Sequence, residues 1–96
     1  MNNADYLLDG MLSGTGVRDV ANGGYVASRD LGLSAALQAR IAAWQRTYEE
    51  VHFNGFAETD VAEVDRAGQE LAASVRAERP DLRVGYYSNG MMQRLE

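Results

Sequence analysis

Apolar residues recur through residues 33–51 at alternating steps of four and three: Leu37, Ile41, Trp44, Tyr48 and Val51. That spacing puts all five on one face of an amphipathic helix. Ser34 stands where an N-cap is needed, its hydroxyl placed to accept from a free backbone N–H of the first turn. Leu33 and Leu37 flank the cap as an apolar pair. Alanines at 35, 36, 39, 42 and 43 add helix propensity. A second helix is predicted from about Asp60 to Arg79. Thr59 or Asp60 caps it, and Asp60 followed by Glu63 has the spacing of a capping box. Its apolar face is Val61, Val64, Gly68, Leu71, Ala72 and Val75. Gly68 is a poor helix former on a buried face, which predicts close approach of another element there. Pro80 disfavours helical geometry in Arg79 and ends the run.

The short connection between these helices contains the turn signal Asn54-Gly55. An antiparallel helical hairpin follows, with Phe53 and Phe56 expected to seal its end. From Asp81 to Tyr87 the pattern changes to alternation. Leu82, Val84 and Tyr86 interleave with Arg83, Gly85 and Tyr87, as in a strand with one apolar face. Ser88-Asn89-Gly90 closes it as a turn. In the first third, Tyr6, Leu7, Leu8, Met11 and Leu12 fit a short helix capped by Asn3 or Asp5, with a strand as the less periodic alternative. Segments 17–20 and 25–27 flank Asn22-Gly23 as a β-hairpin. The expected fold is α+β: the helical pair packed on a small, mainly antiparallel sheet made of that hairpin and the 82–87 strand.

Composition narrows the setting. The chain has 96 residues, 46% hydrophobic and 24% charged. One folded domain over residues 1–96 is expected. A domain of this size hides only ~60–65% of the surface of its unfolded chain, so association would help it. Cysteine is absent, which excludes disulfides and thiolate ligands and points to a reducing, cytoplasmic setting. The start lacks a basic, then apolar, leader pattern. The basic residues are all arginine, and alanine is abundant. Both fit GC-rich codon usage and carry no functional reading. Leu95-Glu96 reads as a cloning scar. The net charge of −5 disfavours nucleic acid and anionic membranes, both of which require a positive field.

No catalytic or metal-binding set stands out, and no cofactor is expected. Ser13-Gly14-Thr15-Gly16 lacks the lysine and flanking elements of a phosphate loop and reads as a helix C-cap with a turn. His52, the only histidine, lies among Glu49, Glu50, Glu58 and Asp60 without a recognisable ligand spacing. The serines at 13, 28, 34, 74 and 88 lack a nucleophile-elbow context. Trp44 and Tyr48 belong to the apolar stripe, not to a stacking platform.

Two surface features carry the functional expectation. Glu49, Glu50, Glu58, Asp60, Glu63 and Asp65 gather where the first helix ends and the second begins. Glu49 and Glu50 stand at the negative end of their helix dipole, where cations are preferred. Tyr87, Met91 and Met92 form an interface-like group near the C-terminus, with Tyr86 and Tyr25 as neighbours. The expectation is a small acidic, non-enzymatic interaction module of a bacterial cytoplasm that binds a protein with a basic surface. Homodimerisation is compatible with it. The alternative is a small-ligand or metal-binding domain using the Gly-rich 13–24 region or the His52 loop.

Overall fold

The computed structural model describes residues 4–95. It is α+β, with two helices packed on a four-stranded mixed sheet. The strands are β1 (Tyr6–Asp9), β2 (Gly16–Asp19), β3 (Val84–Ser88) and β4 (Gln93–Arg94). The helices are α1 (Ala35–Phe53) and α2 (Glu58–Glu78), and a single 3-10 turn, Ser28–Leu31, precedes α1. The sheet order is β2-β1-β3-β4. The central pair, β1 with β3, is parallel, with Tyr6 opposite Val84 and Asp9 opposite Tyr87. Both outer pairs are antiparallel.

The helical pattern is realised. Ser34 accepts from the Leu37 N–H at 3.2 Å and caps α1. Leu37, Ile41, Trp44, Tyr48 and Val51 are all buried. They meet Val64, Leu71, Ala72 and Val75 of α2 and Leu8, Val17, Val84 and Tyr86 of the sheet in one core. Gly68 is the predicted close approach: an added Cβ would lie 2.7 Å from Tyr86 Cζ. The Trp44 ring meets Tyr48 and Tyr86 edge-on, at 5.6 and 5.9 Å between centroids.

Five expectations are corrected. The helix proposed over residues 6–12 is strand β1 followed by a turn, and its Asn3 cap lies outside the described residues. Only four residues, Tyr-Leu-Leu-Asp, extend there, too few for periodicity to separate helix from strand. Strands on both sides settle the choice. The hairpin around Asn22-Gly23 shrinks to one bridge, Arg18 with Tyr25. β2 instead spends its other edge on β1, and β3 joins β1 in parallel. α2 begins at Glu58 on Ala57 with no side-chain cap, so Thr59 and Asp60 lie inside the helix. Phe56, at φ 59°, swings the chain into α2 earlier than the Asp60 signal implied. Phe53 and Phe56 do not seal the hairpin; Phe53 is 79% exposed. Ser13 to Gly16 form the β1–β2 connection, not a helix end. Leu95 packs against the core, and its N–H donates to the Tyr86 carbonyl at 3.0 Å. Glu96 lies outside the described residues.

No helix among the described residues is long and apolar enough to cross a membrane.

Candidate functional site

Strand alternation turns Leu8, Val17, Val84, Tyr86 and Ser88 toward the helices. It leaves Asp9, Arg18 and Tyr87 on the opposite face. Each face meets one buried carboxylate, Asp65 of α2 on the inner face and Asp9 of β1 on the outer, and the two have different partners.

Asp65, on α2, is 4% exposed. It accepts from the hydroxyls of Tyr48 (2.9 Å), Tyr86 (2.6 Å) and Ser88 (2.6 Å). Sequence reasoning assigned this residue to the surface acids because it follows Glu63 in an acidic run. Its position one residue after Val64, on the inner face, was the available signal. Burial pushes the Tyr86 phenol well above its ordinary range and raises that of Tyr48, with the nearby Asp65 carboxylate acting in the same direction. The network continues outward. The Tyr48 oxygen accepts from the Gly90 N–H at 3.0 Å, and the Ser88 oxygen from the Met91 N–H at 3.0 Å.

Asp9, at the end of β1, is equally enclosed. It accepts from the Asn89 amide at 2.6 Å and the Met11 N–H at 3.1 Å. It also pairs with Arg18, whose Nε lies 3.1 Å away. The Arg18 guanidinium stacks over Tyr87 at 5.0 Å. Tyr87 is therefore half-buried in this cluster, while Tyr86 is core. Burial raises the neighbouring Tyr25 phenol, reinforced by the charge of Asp9.

These two carboxylates hold the β1–β2 and β3–β4 connections in place. His52 ties in the third loop: its Nε2–H donates to the Gly10 carbonyl at 3.0 Å, and its ring packs on Phe56 at 4.7 Å. An added Cβ at Gly90 would lie 2.7 Å from Val61 in the first turn of α2. Three connections distant in sequence thus meet at one end of the molecule, beside the α1–α2 junction.

That end concentrates exposed apolar surface. Met11 and Leu12 lie on the β1–β2 connection, Phe53 and Phe56 at the end of α1 and just beyond it, and Met91 and Met92 on the β3–β4 connection. With Val20 they make up the exposed large hydrophobics among the described residues. The same connections hold the non-glycine residues with left-handed φ: Ser13 (66°), Phe56 (59°) and Met92 (55°). Such conformations cost free energy and persist where the surroundings enforce them.

The acids named from the sequence separate into roles. Glu49 accepts from the Ser13 N–H at 3.2 Å and from the Gln45 amide at 3.3 Å, bracing the β1–β2 connection. Glu58 opens α2 on the exposed rim. Glu50, Asp60 and Glu63 line an open trough of about 630 Å³ between α1 and α2. The floor of the trough is Trp44, Val51, Val64 and Leu71; Arg40, Ala43, Thr47, Asn54, Arg66, Ala67 and Glu70 complete its walls. This trough is on the side of the helices turned away from the sheet, and sequence reasoning did not anticipate it.

Among the described residues, no group of three or more His, Asp or Glu side chains is arranged to hold a metal ion. In the 13–24 region, Thr15 Oγ1 donates to the Val26 carbonyl at 2.5 Å, and Asp19 accepts from Asn22 at 3.0 and 3.1 Å. Thr15 and Asp19 are thus engaged by neighbouring parts of the chain. Comparison with protein-family models, with curated proteins and with solved structures finds no match for this chain.

Proposed function

We propose that this domain is a non-enzymatic interaction module that docks a protein with a basic surface through the end where its three connections meet. What supports the reading is that the connections beside exposed Phe53, Phe56, Met91 and Met92 meet at this end, where Glu50, Glu58 and Asp60 flank the α1–α2 junction. Contiguous apolar surface rimmed by charge is characteristic of binding sites. Aromatic and methionine side chains at the centre supply contact area, and the carboxylates steer and select a cationic partner. The Asp9, Asp65 and His52 hydrogen bonds fix the loops before binding, which lowers the ordering cost of association.

The test is affinity capture from a lysate of the source cells with the intact domain, sequencing what is retained. A basic protein should be retained, released as salt is raised, and lost with both Glu58→Lys/Asp60→Lys and Phe53→Ser/Met92→Ser. A protein retained equally by both variants would sink the proposal.

A further inference from the structure

The trough between α1 and α2 has a shape and a charge gradient that specify an occupant. The hydrogen bonds from Trp44 Nε1 to the Val64 carbonyl (2.9 Å) and from Tyr48 to Asp65 (2.9 Å) set the antiparallel register of the two helices. In that register Arg40 lies alongside Glu70, Ala43 alongside Ala67, and Glu50 alongside Asp60 and Glu63. The lining runs along α1 from Arg40 to the C-cap Asn54, about 20 Å at 1.5 Å per residue. A volume of about 630 Å³ spread over that length is a long, narrow channel open on one side. Compact ligands do not fill such a shape, whereas a row of side chains along a helix does. Ala43 and Ala67 are both exposed at its middle, so an incoming backbone can approach closely there. Trp44, Val51, Val64 and Leu71 close the channel from beneath, each only 3–5% exposed, so Ala43 and Ala67 present the accessible middle of it.

Charge decides among helical occupants. Glu50, Asp60 and Glu63 crowd the junction end, and Arg40 marks the other. Among the described residues neither Arg40 nor Arg66 forms an ion pair. The trough holds four carboxylates against two guanidinium groups, a net negative lining that a cationic occupant complements.

We propose that this trough receives an amphipathic helix of the basic partner, laid against α1 and α2 as a third helix. The occupant carries a stripe of small residues over Ala43 and Ala67 and arginine or lysine toward Glu50, Asp60 and Glu63. This rests on the interaction-module reading and adds the binding mode.

The test selects peptides against the intact domain from a library of 16-residue amphipathic helices with randomised flanking charges. Enriched peptides should carry arginine or lysine at one end of the stripe. They should bind at least tenfold more weakly to Ala67→Trp, which fills the channel, and to Glu50→Lys/Asp60→Lys/Glu63→Lys. They should bind Phe53→Ser/Met92→Ser with little change. Native-like circular dichroism and melting behaviour of each variant separates lost binding from lost folding. Neutral or acidic selected peptides, no enrichment over the Ala67→Trp domain, or undiminished binding to both trough variants would overturn the helical mode. A dimer of the free domain in sedimentation equilibrium that Ala67→Trp disperses would overturn it too. Those failures leave the lysate capture and its Phe53/Met92 dependence standing, so the two proposals fail separately.

Discussion

Gly68 and Tyr86 show how much depends on single atoms in a small core. The ring of Tyr86 occupies the space a Cβ would need at Gly68, and its hydroxyl is held by Asp65. Gly68→Ala gains ~1 kcal/mol of helix propensity but overpacks a ring that cannot rotate away, at ~1–3 kcal/mol. The expected result is a lower urea midpoint with an unchanged m-value. An unchanged or higher midpoint would show that the ring has room to move. Tyr86→Phe keeps the packing and removes one of three donors to Asp65, which should cost ~1–3 kcal/mol. Tyr48→Phe also removes the acceptor for the Gly90 N–H, so hydrogen exchange at Gly90 should quicken. The Gly68 approach was legible in the sequence because a glycine on a buried helical face gives up helix stability in return for room. The role of Asp65 was not. Its neighbours in sequence are surface acids, and the hydroxyls that hold it come from α1 and β3.

The helices were readable at the level of elements because each carries its own period over about five turns. Ser34 adds a tertiary link to its cap: its N–H and hydroxyl donate to Glu78 at 2.8 and 2.6 Å. Ser34→Ala should therefore cost at least the ~1 kcal/mol of an ordinary cap, read as a shift in melting temperature. The strands were harder to read. β1 is a four-residue segment whose apolar residues fit either period, and its identity comes from strands on both sides, one of them at the far end of the chain. The site followed the same division. The acids of the α1–α2 junction were visible as a local run. The meeting of the connections beside Met11, Phe53 and Met92 required the parallel β1–β3 pairing and the two buried carboxylates.

Over the whole molecule, charged contacts close the structure and make it sensitive to pH. Hydrogen bonds from Ser34 hold Glu78 below the usual carboxylate range, and Arg79 and Arg83 do the same for Asp81 and Asp5. Each binds fewer protons folded than unfolded in the acid range. Their contribution is thus complete above the ordinary carboxylate values and is lost as pH falls through the lowered ones. Urea midpoints should fall between pH 6 and pH 3, and Glu78→Gln/Asp81→Asn should flatten that slope. The buried phenols act at the other end. Tyr86 and Tyr48 stay protonated when folded, so their contribution is present below about pH 10 and is lost as pH rises beyond it. Tyr86→Phe should therefore flatten the alkaline slope. The parallel pairing has one more consequence, in the order of assembly. Asp5 and Arg83, which clasp the start of that pair, are 78 positions apart. A chain still being synthesised holds Tyr6, Leu7 and Leu8 long before Val84 and Tyr86 exist to cover them. The helical hairpin forms from local contacts, while the sheet waits for a closure that is slow because it is distant. Until synthesis passes Ser88, β1 keeps an unpaired edge that invites other chains. Ribosome-bound chains cut short of β3 should therefore be protease-sensitive at β1 and prone to aggregate, and resistance should appear only once residues 84–88 have emerged.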